Sequence, residues 1–265
     1  MGCLPDPLEV ENIPVVKPKI VVSTHRVPDE SLLVLLAKAF SALTADDDSD
    51  PELVLQQIAV TDAVVILKGP LQTDTLQNFN NGFYGGVNID FVEGDLYELT
   101  AISESLGTVT SQTVVQQFID FETIEADLAF NGFDDTLVQV TYTAIDPPGK
   151  NQYVFTVQRI RNESIMNNLL DPNAFTRLLT DAEFDGQEFG ETFRSWPRNY
   201  QPGDTVAITM TNISEEYYNF LKLREDNRYS FTQFLGEPVN YGTNVKDGLG
   251  YFNLNQPAVR VIVLE

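Results

Sequence analysis

"DTLVQVTYTAIDPPGKNQYVFTVQRI" (Asp135–Ile160) holds two alternating runs joined by Pro-Pro-Gly-Lys. The first run, Asp135–Asp146, sets apolar and polar residues in turn, the period of a half-buried strand. Pro147, Pro148 and Gly149 supply turn chemistry. Asn151–Ile160 is then expected to pair back on the first run as a hairpin. One such pair already selects a β architecture, because an alternating face must be covered by another sheet.

Outward from this pair the β signals continue. "DTVAITMTNIS" (Asp204–Ser214) and the closing "AVRVIVLE" (Ala258–Glu265) read as strands. "DPNAFTRLLTDAEFDG" reads as a loop followed by a short segment ending at Asp-Gly. Upstream, "PKIVVSTHRV" (Pro18–Val27) is the first strand, and "DAVVILKG" (Asp62–Gly69) is another. "GGVNIDFVEGDLYELTAIS" (Gly85–Ser103) is expected to hold two strands around Glu-Gly-Asp. "SLLVLLAKAFSAL" (Ser31–Leu43) is ambiguous in period, and its strand neighbours favour strand over helix. "SEEYYNFLKLRED" (Ser214–Asp226) is the helix: Ser214 can cap it, Glu215 and Glu216 fill its first turn, and Arg224 lies near its end.

The pattern restarts near Phe118. The fold expected is mainly β: an antiparallel, Ig-like β-sandwich over residues 19–118, then a second β-rich domain over 119–265 with one short helix. Residues 1–18, with Pro5, Pro7, Pro14 and Pro18 among acids, read as an extended tether.

Charge narrows the function. The chain carries 39 acidic and 16 basic residues, a formal net charge of −23. Phosphate backbones and anionic lipid surfaces repel such a surface, so no nucleic acid is expected as a partner. No apolar run is long enough to cross a bilayer as a helix, and the opening residues do not form a signal peptide.

The candidate chemistry is sparse. His25, the single histidine, sits on the first strand, and no GxSxG nucleophile elbow accompanies it. No cofactor is expected. "DDDSD" (Asp46–Asp50) is an exposed charged loop rather than a spaced ligand set. Asp181, Glu183 and Asp185 are spaced by two and followed by Gly186, as in a calcium loop, but Thr192 stands where the bidentate Glu belongs. A β-turn at Asp185-Gly186 explains the same residues. "FRSWPRNYQPGD" (Phe193–Asp204) gathers the only tryptophan with arginines: Arg194, Trp196, Arg198 and Tyr200 are the candidate ligand- or partner-binding residues. A Pro-bounded loop packing its aromatics on a sandwich is the structural alternative. Cys3 is the only cysteine, so neither an internal disulfide nor a thiolate metal site can form; an unmodified thiol and a modified one both remain open.

The last third carries a family pattern. "LLTDAEFDGQ", "GDTVAITMTNISEEYYNFL" and "GEPVNYGTNVKDGLGYFNL" follow in order, with Asn244, Gly248, Gly250, Tyr251 and Phe252 in the final motif. The chain resembles a Bacteroidota outer-membrane lipoprotein family of unknown function, domain-of-unknown-function family 4249. "KIVVSTHR", "VTDAVV" and "VEGDLYELTA" extend the resemblance into the first half. The Gly-rich ending reads as a structural signature, a tight bend before Tyr251 and Phe252 enter the core.

The resemblance implies that Gly2-Cys3 is the end of a lipobox, with Cys3 lipidated and the protein anchored in the outer membrane, exposed at the cell surface. Asp6, Glu9 and Glu11 are similar to surface-export signals, although the accompanying Lys or Ser is missing. It further implies a non-catalytic partner of a TonB-dependent, SusC-like transporter or another β-barrel in nutrient uptake. The alternative is a structural subunit of an outer-membrane assembly or secretion complex.

Overall fold

The computed structural model describes residues 17–27, 31–39, 56–132, 135–161, 174–196, 198–227 and 241–265. In chain order their strands are β1 (Ile20–Val27), β2 (Ser31–Lys38), β3 (Ala63–Lys68), β4 (Thr73–Thr75), β5 (Gln77–Asn80), β6 (Phe83–Gly86), β7 (Leu96–Ser103) and β8 (Gly107–Val114). There follow β9 (Phe121–Phe130), β10 (Thr136–Ile145), β11 (Gln152–Ile160), β12 (Phe175–Thr180), β13 (Glu188–Arg194) and β14 (Thr205–Ile213). The helix α1 (Glu215–Asn227) precedes β15 (Val245–Lys246), β16 (Leu249–Tyr251) and β17 (Pro257–Val263).

Alternation decides the layers. β2 buries Leu32, Val34 and Leu36, β7 buries Tyr97, Leu99 and Ala101, and β11 buries Tyr153, Phe155 and Val157. Four sheets result: β16-β1-β2-β6-β5, β15-β8-β7-β3-β4, β13-β10-β9 and β12-β11-β14-β17. The first two enclose one apolar core and the last two enclose another. The protein is thus mainly β, built of two sandwiches. The strand reading of Ser31–Leu43 holds over β2, whose alternation fits a sheet with one covered face. Residues 40–43 lie outside the described residues.

Two expected pairings differ from the structure. β10 and β11 do not form a hairpin. β10 pairs with β9 and β13, whereas β11 pairs with β12 and β14, so Pro147–Lys150 arches from one sheet to the facing one. Pro147 and Pro148 bring no N–H to a ladder, and the N–H groups of Gly149 and Asn151 go to carboxylates of another loop. The arch brings the rings of Tyr142 and Phe155 together across the core, centroids 4.6 Å apart and tilted by 40°. Nor does Gly85–Ser103 contain two strands around Glu-Gly-Asp: β6 ends at Gly86, and only β7 follows the Glu-Gly-Asp turn. The segment between them is held by Tyr97, whose hydroxyl donates to Asp90 O at 2.8 Å and accepts from Val92 N at 3.0 Å, while Ile89 plugs the core.

The C-terminal motif returns to the first sandwich. β15 pairs antiparallel with β8, and β16 pairs parallel with β1. Residues 245–251 therefore complete sheets made from residues 20–114, although the expected boundary grouped them with 119–265. Asn244 clamps the crossing: its Nδ2 donates to Phe252 O at 2.7 Å and its Oδ1 accepts from Phe252 N at 2.9 Å. Gly250 needs its lack of a side chain, since φ is 89° and a Cβ would stand 2.1 Å from Val22 O. Phe252 enters the first core. Tyr251 instead lies outside that core and packs at a tilt against Tyr217 and Phe220 of α1, centroids 4.8 and 5.3 Å away. Ser214 caps α1 as expected, its Oγ accepting from Tyr217 N at 3.2 Å.

Candidate functional site

The acidic loop between β12 and β13 gathers at one end of the second sandwich with the β10–β11 arch. Two successive turns shape it: Phe184 N donates to Asp181 O at 2.9 Å and Gln187 N to Phe184 O at 2.9 Å. Gly186 takes φ 69° in the second turn, a conformation that favours glycine. Phe184 turns inward and stacks on Phe189 at 4.3 Å. These turns bring Asp181 and Asp185 beside Asp146, with one carboxylate oxygen from each lying within 4.8 Å of the others. Glu183 is exposed and stands outside the group.

Each of the three acids accepts a backbone N–H across the two loops. Asp146 Oδ2 accepts from Gly186 N at 2.8 Å, Asp185 Oδ1 accepts from Gly149 N at 2.8 Å, and Asp181 Oδ2 accepts from Asn151 N. Asp146 Oδ1 also accepts from the Tyr153 hydroxyl. Asn151 is fixed in turn by Asn212, whose Nδ2 donates to Asn151 Oδ1 at 3.1 Å. Asp146 and Asp181 are buried, at 1% and 5% exposure. Burial pushes the Asp146 carboxyl above its usual range, against the hydrogen bonds from Tyr153 and Gly186, and the neighbouring Asp181 and Asp185 add to the rise. The same burial, with the charge of Asp146, raises the Tyr153 hydroxyl. Carboxylate oxygens in this number suit a hard divalent cation. The three carboxylates also close the arch as they stand, because each already satisfies one backbone donor. Asp146 was missed by sequence reasoning, since no spacing rule links it to a turn 35 positions downstream; its one signal is an acid directly before Pro-Pro at the end of a strand.

The tryptophan loop disperses its candidates. Arg194, on β13, is exposed and its Nε donates to Gln139 Oε1 at 3.0 Å. Trp196 meets Phe175 edge-on at 5.8 Å and packs on the second core, with the Arg198 guanidinium 5.8 Å from its ring. Tyr200 is buried at 3% exposure. The loop lies along the start of β10: Ser195 N donates to Val138 O at 2.8 Å and Arg198 N to Thr136 O at 3.0 Å. Arg159, which the sequence did not single out, holds it from β11. Its guanidinium stands 4.5 Å from the Tyr200 ring, donates to Arg198 O and Asn199 O at 3.2 and 3.1 Å, and pairs with Asp204 at 3.0 Å. Of the four named side chains, Trp196 and Arg198 meet, Tyr200 is buried under Arg159, and Arg194 is exposed on β13.

His25 is half-buried on β1 opposite Leu33, and burial lowers its pKa, which keeps it neutral at pH 7. Cys3 and Asp46–Asp50 lie outside the described residues. Among the described residues, no helix is long and apolar enough to cross a membrane.

A family model described as "Domain of unknown function (DUF4249)" matches residues 6–258. No curated protein matches the chain. Among solved structures, a two fibronectin type-III domain segment from chicken tenascin aligns over 74% of this chain and 91% of its own, with 11% identity and a TM-score of 0.22.

Proposed function

This chain belongs to the DUF4249 family, and from that premise we propose that it is a non-catalytic lipoprotein of the outer membrane, accessory to a TonB-dependent, SusC-like transporter in nutrient uptake. The observation that carries the reading is Cys3, the only cysteine in 265 residues, set after Gly2 and before a Pro- and acid-rich tether. A diacylglycerol thioether with a third amide-linked chain there buries enough methylene to hold a protein on a bilayer that its charge of −23 would otherwise repel. The two sandwiches support a binding role, with the β10–β11 and β12–β13 loops of the second tied by reciprocal hydrogen bonds.

Purification of the lipidated protein from detergent-extracted outer membranes, with identification of what accompanies it, tests the reading. A stoichiometric TonB-dependent transporter is the expected companion. Recovery with assembly or secretion components would replace this role with that of a structural subunit, and recovery alone would overturn both.

A further inference from the structure

Sheet edges are where a β protein is open to another chain, and most edges of this one are blunted. β4, β15 and β16 have only two or three residues. β5 has four, with a register break between Asn78 and Asn80. β9 exposes Glu122, Glu125 and Asp127, and β13 carries Glu188, Glu191 and Arg194. β12 exposes no large apolar side chain. Short length, bulges and charge are the means by which edges resist pairing.

β17, whose outer edge has no partner among the described residues, is blunted least. It is seven residues long, pairs with β14 without a register break, and shows Val261 and Val263 to solvent at 60% and 58% exposure. Pro257 stands at its first position, outside the open stretch. Its one charge, Arg260, turns away to Asp120, donating to both carboxylate oxygens at 2.9 Å. The outward residues continue an uncharged surface, since Val259, Val261 and Val263 lie beside Thr209, Ala207 and Thr205 of β14. On a chain of net charge −23, an edge whose outward side chains are uncharged is where two copies can meet with their carboxylates held apart.

We propose that β17 is a dimerisation edge, pairing antiparallel with β17 of a second copy across a two-fold axis at Val261. An isologous contact of this kind needs a self-complementary strand. With the axis at Val261, Val259 faces Val263 and Arg260 faces Ile262, so no like charges oppose. The two four-stranded sheets then join into one continuous eight-stranded sheet.

Sedimentation of the full chain, produced without acyl chains and carrying Cys3→Ser, tests this at physiological salt. Dimer is expected over a roughly hundredfold range of concentration. Val261→Lys with Val263→Lys should give a monomer that still unfolds cooperatively, both positions being exposed, and whose melting temperature no longer depends on concentration. Val261→Cys should form an intermolecular disulfide under mild oxidation, because directly opposed Cβ atoms stand about 5 Å apart. A monomer throughout, a dimer that survives the lysine pair, or a folded Val261→Cys chain that does not cross-link would each overturn the proposal. So would a β17 edge that pairs only with a foreign strand.

Discussion

Asp146 is an acid that folding pushes toward its neutral form. Its environment raises the folded-state pKa above the ordinary 3.8, so its contribution to stability is fully present below that value and is lost as pH rises through the folded value. The Asp146→Asn variant cannot titrate there. The difference in melting temperature, wild type minus Asp146→Asn, is therefore expected to become more positive as pH falls from 7 towards 4, while acids remote from the cluster cancel in the subtraction. A difference that stays flat, or moves the other way, would show that the carboxyl is not destabilised by burial and by Asp181 and Asp185. The alternation of β10 told nothing of this, because the strain on Asp146 comes from a loop that only folding brings near. Gly250 is a contrasting case: the glycines of the C-terminal motif announced a tight bend, and the structure adds a close approach of Val22 O.

Both open flanks of the second sandwich are closed by an arginine–carboxylate pair set over a phenylalanine. On one flank Arg177 of β12 meets Glu191 of β13 with two bonds of 2.7 and 2.6 Å, its guanidinium 5.7 Å from the Phe193 ring. On the other, Arg260 of β17 meets Asp120 at the start of β9, 5.7 Å from the Phe121 ring. Each pair spans the two facing sheets, which share no ladder of their own. Arg177 and Glu191 keep 37% and 28% side-chain exposure, so solvent screening limits the pair. A double-mutant cycle with Arg177→Met and Glu191→Gln, followed by denaturant unfolding, should return a coupling of about 1 kcal/mol that shrinks in high salt. A coupling near zero at low salt would reduce the pair to surface decoration. β17 was legible as a strand, but β12 and β13 lie where the sequence read a loop with a short segment and an aromatic loop, and no pairing was legible. An inward Arg or Glu breaks the apolar pattern, and its reason lies on the other sheet.

The chain passes between its two sandwiches three times: at residues 115–120, through the segment containing α1, and at residues 252–257. The first sandwich is therefore unfinished until the C-terminal residues are made. Without them it lacks β15, β16 and the core side chains Phe252 and Leu254. A fragment of residues 1–118 is expected to show no cooperative thermal transition, whereas the full chain unfolds cooperatively. A fragment that melts cooperatively would show that the N-terminal strands suffice. Cross-links between the parts act in the same direction: Asn212 on β14 donates to Gln117 O at 3.2 Å, and α1 packs Tyr217 on Tyr251.

Composition and period were enough to establish a mainly β protein, the capped helix α1 and the strands β14 and β17. These depend on near neighbours: whether successive side chains alternate, where a chain can turn, and which residue can cap a helix. Which strands share a sheet depended on contacts between distant residues. Pro147–Lys150 could as well have turned a hairpin as an arch, and the aromatic faces of β10 and β11 favoured the arch by burying against each other. The same holds for the acid cluster, which draws Asp146 from one loop and Asp181 and Asp185 from another. It holds for β16, whose parallel place beside β1 joins residues more than two hundred positions apart. Local sequence specifies local conformation, and the partner of each buried face is chosen by the free energy of covering it.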